Sequence, residues 1–340
     1  MGAGPAGSTC AVALAEAGWR VLLAEGSRLT RARPADTLAP AAFRRLSSFL
    51  GSQALSPAVA VPCRGVVAQW GAGEPQIADY EFDPNGLGGT VLRPALDRLL
   101  FERAKAAGVD ARLGWFELRR GEEKARGLTR VDFVTDDGAV TESARMIVNA
   151  TGRNSTLPGG ERIYGDSRLA YWTILPAART DQMLWVEKTA DDWWYLVQLP
   201  DGSAQLVMVT SCRATKGGAI DRKGFFEERF ECCRFLREAL PDKLPDEFRV
   251  SGGDARVSRL IPPVAGNCLS IGDASCACDP LSGQGWLRAF ESASAATQAI
   301  TGVLASGHRT ALDDFARTLE RAGHDHLLES SRYHAVAASS

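Results

Sequence analysis

The feature that most constrains this chain is a glycine pattern at its beginning. Gly2, Gly4 and Gly7 form a G-x-G-x-x-G sequence, followed by an apolar helical pattern and a short strand that ends in Glu25. In a βαβ unit the first glycine makes a tight turn and the second lets the backbone approach a pyrophosphate. The third lets helix and strand pack closely, and the acid accepts ribose hydroxyl groups. The pattern predicts a Rossmann-like unit in which these four residues bind a nucleotide cofactor.

A strand ordinarily leads into this glycine pattern, and none precedes Gly2 in the sequence. That strand would lie at the centre of a parallel sheet. We therefore expect one of two situations. Either the protein begins upstream of Met1 and supplies the strand, which is the interpretation we favour, or its sheet contains an open groove that weakens cofactor binding.

A second glycine-rich stretch, G-D-A-S-C-A-C-D-P-L-S-G-Q-G, occupies residues 272–285. It follows an apolar run and precedes a long helix of small residues. This layout presents backbone N–H groups and the positive end of a helix dipole to an electron-rich ligand. We predict that Asp273, Gly283 and Gly285 bind a cofactor.

Cationic and small residues between the two loops are further candidates for cofactor contacts. Arg28, Arg31 and Arg33 follow the acid that ends the first strand, where a pyrophosphate needs a cation, although solvated surface arginines explain them equally well. Arg93 stands where a strand gives way to a helix and is either a cofactor contact or a local cap. Gly152 follows an apolar strand in the sequence V-N-A-T-G-R.

The pattern between residues 168 and 211 changes to aromatic-rich alternation, which is typical of an antiparallel meander. Its third strand reads D-D-W-W-Y-L-V-Q-L-P. Because side chains alternate along a strand, Trp193 and Tyr195 share one face. That face either lines a substrate pocket or belongs to the packed core of the sheet.

Composition and charge exclude several classes of partner and site. The 340-residue chain has a net charge of -2 and no block of like charges, so we expect no nucleic-acid partner. No apolar run reaches the roughly 18 residues that cross a bilayer. Eight cysteines occur without a C-x-x-C pair, which indicates reduced thiols and a cytoplasmic location. Cys276 and Cys278 are either such buried thiols or a redox or substrate-contacting pair. The histidine spacing in the tail predicts no metal site.

Two separate nucleotide-binding elements indicate one ligand that is long enough to reach both. FAD meets this requirement: its ADP half would lie on the first loop and Glu25. Its ribityl and isoalloxazine portions would lie along Asp273 and the helix start that follows Gly283. A resident NAD would not need the second element.

These motifs together resemble a known family. Three of them, which are distributed over nearly the whole chain, are similar to sequences of the glutathione-reductase-type FAD monooxygenase superfamily. They are GAGPAG with its later acid, V-N-A-T-G-R and G-D-A-S-x-x-x-D-P-L-S-G-Q-G. Within this superfamily, three segments resemble the flavin-dependent tryptophan halogenase branch. They are A-D-T-L-A-P-A-A at 35–42, the aromatic strand at 191–200 and D-P-L-S-G-Q-G-W at 279–286. The resemblance is greatest to its members that hydroxylate a peptidyl tryptophan during quinone cofactor maturation.

The resemblance implies a reaction and a set of site residues. Halogenases of this branch carry a W-x-W-x-I-P strand and a lysine soon after the first nucleotide element, whereas this chain has W-W-Y-L-V-Q-L-P and no lysine within 34–62. These departures favour hydroxylation of an aromatic ring, with tryptophan, free or peptidyl, as the expected substrate. Asp279, Pro280 and Gln284 would lie nearest the flavin ring as catalytic residues, and Trp193 and Tyr195 would contact the substrate.

The predicted fold is α/β: a Rossmann-like FAD-binding domain lacking its first strand, an inserted antiparallel-sheet substrate domain and a helical C-terminal tail. The domains are predicted at 1–51, 92–167 and 252–308 for FAD, 52–91 and 168–251 for the substrate, and 309–340 for the tail.

Electrons would come from NAD(P)H that visits transiently or from a separate flavin reductase, because no second G-x-G-x-x-G exists. Three alternatives remain open at this point. They are a flavin-dependent halogenase, an FAD oxidoreductase resembling geranylgeranyl reductases that acts on a small natural product, and a non-catalytic flavin-binding maturation factor.

Overall fold

A computed structural model describes residues 1–30, 33–51, 54–71, 73–123, 127–211, 215–216, 219–240 and 244–336. The helices are α1 (Pro5–Glu16), α2 (Pro40–Leu50), α3 (Arg93–Ala106), α4 (Arg222–Phe230), α5 (Phe235–Glu238), α6 (Gly285–Ser306) and α7 (Thr310–Val336). The strands are β1 (Leu22–Glu25), β2 (Asp36–Leu38), β3 (Ala60–Cys63), β4 (Gly65–Trp70), β5 (Gln76–Asp79), β6 (Gly88–Val91), β7 (Asp110–Leu113), β8 (Phe116–Glu123), β9 (Leu128–Thr135), β10 (Gly138–Ala144), β11 (Ile147–Asn149), β12 (Glu161–Tyr164), β13 (Leu169–Leu175), β14 (Met183–Lys188), β15 (Asp192–Gln198), β16 (Ala204–Thr210), β17 (Thr215–Lys216), β18 (Ala219–Ile220), β19 (Ser251–Asp254), β20 (Ser258–Ile261), β21 (Val264–Ala265), β22 (Cys268–Ser270) and β23 (Cys276–Ala277). This mixture of helices and sheets confirms the α/β class.

The chain divides into two compact units, each made of several segments. The first unit comprises residues 1–32, 94–165 and 257–328, and the second comprises 33–93, 166–256 and 329–340. Residues 33–51 therefore group with the second unit, although the sequence pattern associates them with the first glycine loop. The assignment of one unit to the cofactor and the other to the substrate remains a prediction.

The first unit contains two pairs of parallel strands in separate sheets, and the opening residues of the chain hydrogen-bond to one strand of each. Strand β1 pairs in parallel with β7, and β11 pairs in parallel with β22. The N–H of Gly2 donates to Ala24 O over 2.8 Å, and the N–H of Ala150 donates to Met1 O over 2.8 Å. The first described element is nevertheless α1, as the sequence predicts. Residues 1–2 thus lie between the ends of β1 and β11 and hydrogen-bond to both.

Helices α1 and α6 pack against each other through small side chains. Ala289, Ala293 and Ala296 of α6 are buried in one cluster with Ala6 and Cys10 of α1. The alanines recur at the three- and four-residue spacing that places side chains on one face of a helix. Because these side chains are small, the two helix axes can approach closely, and this packing holds the helix starts in place.

Two smaller sheets complete the first unit. Strands β8, β9 and β10 form an antiparallel meander, and β12, β20 and β23 form a short antiparallel sheet. The chain enters the second glycine-rich stretch from β22, and β23 lies within that stretch. Within the described ranges, no helix combines the length and the hydropathy that crossing a bilayer requires.

The second unit is built on a sheet of seven strands in the order β19-β13-β16-β15-β14-β4-β5. All neighbouring pairs are antiparallel except β14 and β4. The antiparallel sheet that the aromatic-rich alternation predicts is confirmed, but its strand order differs: β14, β15 and β16 form a meander, whereas β13 pairs with β16 instead of β14. The turn after β15 includes Asp201 and Gly202, where the sequence predicts it, and the N–H of Gly202 donates to Leu199 O over 3.0 Å.

Both faces of the sheet are buried at its central strands β15 and β16, and β15 accordingly carries apolar residues at odd and even positions. On one face, Trp194 is fully buried and contacts the rings of Phe226 and Phe230 edge-on, with centroids 4.9 and 5.4 Å apart. Helices α4 and α5 thus cover that face. On the other face, Val197 packs with Ala35.

Replacing Trp194 by alanine is expected to lower the free energy of unfolding by about 3–5 kcal/mol, because it empties the centre of the core of the second unit. Trp70→Ala is the matched control. Trp70 is 38% exposed, so its replacement is expected to lower the free energy of unfolding by about 1 kcal/mol or less. Urea denaturation followed by circular dichroism measures both. Equal losses in the two variants would contradict the assignment of the core.

Candidate functional site

The first glycine loop is shaped by close backbone contacts. Gly2 has a φ of +89°, and a Cβ built there would lie 2.3 Å from Ala150 O. A Cβ at Gly7 would lie 1.9 Å from Gly2 O. In contrast, a Cβ at Gly4 meets no atom of the described chain within 4 Å. Gly2 and Gly7 therefore allow close packing of the backbone, and Gly4 leaves space beside the start of α1.

Glu25 joins the end of β1 to this loop. Its Oε2 accepts a hydrogen bond from the N–H of Ala3, and its Oε1 accepts one from the N–H of Ser27, each over 2.8 Å. A carboxylate oxygen can accept more than one hydrogen bond, so both oxygens keep capacity for a ligand hydroxyl group. The acid that the spacing predicts thus lies beside the glycine loop.

The start of α1 is suited to an anion. Its N-cap is Gly4 and its first helical residue is Pro5, and among the described residues no side chain caps it. The first N–H groups of a helix have no partner within the helix, and its dipole places partial positive charge there. A phosphate group would be stabilised at this position.

The second glycine-rich stretch packs directly on the first. Its 3₁₀ turn, Gly272–Ala274, begins with a φ of +55° at Gly272, and a Cβ built there would lie 2.7 Å from the Cβ of Ala6. The N–H of Gly272 donates to Ser292 Oγ on α6 over 3.0 Å. The two glycine loops, from opposite ends of the chain, therefore meet at the start of α1.

Asn149 supports the turn that contains Gly152. It is fully buried at the end of β11, and its Nδ2 donates to Ser155 Oγ over 2.5 Å and to Ser270 Oγ over 3.3 Å. Its Oδ1 accepts from Thr151 Oγ1 over 2.8 Å. Gly152 has a φ of +88°, with space around its Cβ position in the described chain. In the sequence, the only indication of this role is that Asn149 is a polar residue within an apolar strand.

Asp273 lies at the rim of the second loop. Its side chain is 41% exposed, and Arg153 Nη2 lies 3.5 Å from its Oδ2. The guanidinium of Arg162 donates to Ala274 O over 2.5 Å and to Ser258 Oγ over 3.0 Å. Arg162 therefore holds the backbone of the loop, and the Asp273 carboxylate stays accessible to a ligand.

The predicted catalytic residues differ in their exposure. Asp279 is buried, and its carboxylate accepts the N–H of Leu281 over 3.0 Å, which caps the 3₁₀ turn Pro280–Ser282. Pro280 and Gln284 are exposed. Asp279 therefore shapes the loop from inside, whereas the other two lie at its surface.

The start of α6 also suits an anion or an electron-rich ring. Gln284 is its N-cap, and its Oε1 accepts from Arg288 Nε over 3.3 Å instead of capping the helix. Gly283 has a φ of +60°, which ends the preceding turn. Cβ positions at Gly283 and Gly285 contact nothing in the described chain within 4 Å. An open, positively polarised helix end results.

His326 contacts the second loop, and the sequence patterns did not predict this contact. It lies on α7 with 1% exposure, and its Nε2 accepts the N–H of Asp279 over 3.1 Å. The sequence suggested only that the tail histidines do not bind metal. No group of three metal-ligating side chains occurs within the described ranges. No local pattern could have identified His326, because its partner lies far along the chain.

The second unit brings two predicted substrate residues near a predicted cofactor residue. Arg93 Nη1 donates to Asp36 Oδ2 over 2.7 Å. Burial raises the pKa of Tyr195, and the Asp36 carboxylate raises it further. The ring centroids of Trp193 and Tyr195 lie 6.1 Å apart. Gln205 holds the backbone of this region through two hydrogen bonds to Ala35.

The arginines that follow the first acid are dispersed. Arg28 pairs with Asp136 at the surface of the first unit. Arg33 is exposed and belongs to the second unit. Arg31 lies outside the described residues. Their roles as cofactor contacts remain predictions.

Comparison with solved structures identifies proteins of the same fold. CmlS, a flavin-dependent halogenase, has a TM-score of 0.83 and 20% identity, covering 96% of this chain and 62% of its own. The myxobacterial FAD-dependent chondrochloren halogenase CndH has a TM-score of 0.83 and 24% identity, covering 94% and 78%. The peptidyl tryptophan dihydroxylase QhpG, which is essential for tryptophylquinone cofactor biogenesis, has a TM-score of 0.73 and 21% identity, covering 95% and 73%.

At these identities the likeness establishes the fold, including the predicted Rossmann-like unit with an antiparallel sheet. This chain spans less than two thirds of the length of CmlS. Comparisons with protein-family models and with curated protein sequences give no match.

Gly7→Ala is expected to lower the free energy of unfolding by about 2–3 kcal/mol, because its Cβ would overlap Gly2 O in a rigid loop. Gly4→Ala is the control and is expected to cost less than about 1 kcal/mol, since its Cβ meets no described atom. Urea unfolding measures both. Equal stability of the two variants would contradict the close approach of Gly7 to the carbonyl of Gly2.

His326→Leu is expected to cost about 1–3 kcal/mol and to speed hydrogen exchange at the Asp279 amide, because the buried N–H loses its acceptor. His326→Gln places an amide oxygen near the Nε2 position, so exchange should stay close to that of the unmodified protein. Hydrogen exchange read by mass spectrometry tests both. Unchanged protection in the leucine variant would contradict the role of His326.

Proposed function

We propose that this protein is an FAD-dependent monooxygenase that hydroxylates an aromatic ring, with tryptophan, free or within a protein, as its substrate. The observation that carries the proposal is the contact between Gly272 and Ala6, because it unites two loops that each suit one part of FAD. The flavin-dependent proteins that share this fold support the choice of cofactor.

The first loop fits the ADP half of the cofactor. The space beside Gly4 and the open start of α1 would receive the pyrophosphate, which would accept hydrogen bonds from backbone N–H groups. The Glu25 carboxylate, already oriented by Ala3 and Ser27, would accept hydrogen bonds from the ribose hydroxyl groups. Gly2 and Gly7 contribute by keeping this turn compact.

The second loop fits the flavin half. The accessible carboxylate of Asp273 would bind on the ribityl–phosphate side. Gly283 and Gly285 leave space at the start of α6, whose positive end would stabilise negative charge on the pyrimidine portion of a reduced flavin. Gly152, on the neighbouring turn, would offer a close backbone approach. Arg33 and Arg93 remain proposed cofactor contacts from the second unit.

Bound in its reduced form, FAD supplies the electrons for inserting one oxygen atom of O₂ into the substrate ring. The chain's own residues bind, orient and exclude water, because such a transfer needs a dry, fixed pocket more than a dedicated acid–base pair. Asp279 would position the loop through its cap at Leu281. Pro280 and Gln284, which are exposed on this loop, would lie nearest the flavin ring.

Trp193 and Tyr195 are the proposed substrate contacts. Aromatic rings of this kind stack with or meet edge-on an indole ring. The hydroxyl of Tyr195 is protonated at neutral pH and can donate a hydrogen bond, and its raised pKa extends that state to more alkaline pH. The buried indole N–H of Trp193 has no acceptor among the described residues, and a substrate oxygen would satisfy it.

A flavin-dependent halogenase is the second candidate, and the similarity to CmlS and CndH favours it. The sequence favours hydroxylation, because no lysine occurs between residues 34 and 62 and the aromatic strand reads W-W-Y-L-V-Q-L-P. The electron donor would be NAD(P)H that binds transiently or a separate flavin reductase. The peptidyl-tryptophan reaction of QhpG supports a protein substrate.

Gly285→Asp is expected to weaken FAD binding by about tenfold or more, because its charge competes for the positive end of α6. Gly285→Asn has almost the same size without the charge and should weaken binding less. Fluorescence titration with FAD measures the two dissociation constants, and circular dichroism checks the fold. An unchanged FAD affinity in the aspartate variant would overturn the assignment of this loop.

The reaction is tested with FAD, NADH and a flavin reductase, offering free tryptophan or a tryptophan-containing peptide, with and without bromide. Mass spectrometry is expected to show addition of one or two oxygen atoms to the indole, independent of bromide. Bromination would identify the halogenase instead. FAD binding without any product from either substrate would contradict the proposed substrate class, and absence of FAD binding would contradict the proposal entirely.

A further inference from the structure

Two cysteines lie within the second glycine-rich stretch. Cys276 begins β23, Cys278 follows directly after its last residue, Ala277, and the two thiols form a hydrogen bond with each other. Cys276 is half-buried and Cys278 is buried with 6% exposure. Both are free thiols. A partly exposed thiol therefore stands next to a buried one.

Arginines lie near the partly exposed thiol of Cys276. Arg259 of β20 pairs directly with Cys276 in the antiparallel register, so the two side chains share one face of the sheet. Helix α7 covers both: a Cβ built at Gly323 would lie 3.4 Å from Arg259 Cβ and 3.6 Å from Cys276 Sγ. The positive charges of Arg288 and Arg162 favour the thiolate form of Cys276, which is the form that reacts with oxidants.

The two thiols differ in acidity. Hydrogen bonding with Cys278 lowers the pKa of Cys276, and Arg288 and Arg162 lower it further, whereas burial opposes them. The same hydrogen bond and burial raise the pKa of Cys278. The partly exposed Cys276 is thus the better nucleophile, and the buried Cys278 stays protonated as a thiol.

We propose that Cys276 and Cys278 form a peroxide-sensitive dithiol, with Cys276 as the attacking thiol and Cys278 as the resolving thiol. The oxidant is hydrogen peroxide. The Cys276 thiolate attacks one peroxide oxygen, the O–O bond breaks, and hydroxide leaves and takes up a proton to become water. Cys276 is oxidised by two electrons to a sulfenic acid, and the peroxide is reduced.

The second step closes the bridge. The Cys278 sulfur, after giving its proton to solvent, attacks the Cys276 sulfur, the S–O bond breaks, and hydroxide leaves as a second water molecule. The net reaction converts two thiols and one hydrogen peroxide into one disulfide and two waters. A dithiol reductant reverses it by thiol–disulfide exchange.

Closing this bridge has a structural consequence. Residues two apart on an extended strand have Cα atoms about 6.6 Å apart, whereas disulfides prefer about 5.5–6 Å. β23 must therefore bend, which loosens its pairing with Ser258 and Arg259 of β20. Because Asp279 follows immediately, the bend also displaces the start of the loop that ends at Gly285. The proposal itself does not depend on the proposed FAD chemistry.

The unmodified protein provides the first test. Reduced protein is treated with one equivalent of hydrogen peroxide, the remaining thiols are alkylated, and the tryptic peptide covering residues 260–288 is fragmented in a mass spectrometer. This peptide also contains Cys268, so fragmentation assigns the bridge. We expect a Cys276–Cys278 disulfide that dithiothreitol reverses, while Cys232, an exposed thiol, stays reduced. Oxidation of Cys232 first, a bridge to Cys268, or no bridge would each overturn the proposal.

Variants separate the two roles. In Cys278→Ser, Cys276 is expected to stop at the sulfenic acid, so that labelling by dimedone at Cys276 rises about tenfold over the unmodified protein. In Cys276→Ser, Cys278 should not be labelled. Cys232→Ser is the control and should leave the rate of bridge formation unchanged. Cys278→Ala repeats the measurement if the serine destabilises the buried position, and circular dichroism verifies the fold. Equal labelling with and without Cys278 would show that it does not resolve the sulfenic acid.

Discussion

The candidate site depends on the contact between Gly272 and Ala6. A glycine with positive φ at this point lets the 3₁₀ turn of the second loop approach the first turn of α1. Any side chain there would separate the loops. The packing of α1 on α6 through alanines stabilises the same approach from the other side. The starts of α1 and α6, which both suit an anion, consequently belong to the same compact unit.

Buried polar side chains hold the loops around this contact. Asn149 ties the turn before Gly152 to two serines, Ser292 accepts the N–H of Gly272, and His326 accepts the N–H of Asp279. Each supplies a partner to a backbone or side-chain group that would otherwise be buried without one, which costs free energy. The loops thus keep a defined shape while their glycines leave space for a ligand.

The second unit uses the two faces of one strand differently. The face with Trp194 is closed by aromatic rings of α4 and belongs to the core. The face with Tyr195 also carries polar groups nearby, because Asp36 and Arg93 form an ion pair close to it. An apolar strand could have buried both faces in the same way. The polar pair makes the second face the better candidate for binding.

Local patterns in the sequence determined much of this protein: the helix after the first glycine loop, the acid Glu25, the antiparallel strands of the second unit and the open start of α6. Each rests on a spacing of a few residues, which sequence displays directly. Only the tertiary structure decided that Asp279 caps a turn, that His326 holds it, and that residues 33–51 join the second unit. Those outcomes depend on which distant segments pack together, and such contacts have no local period to reveal them.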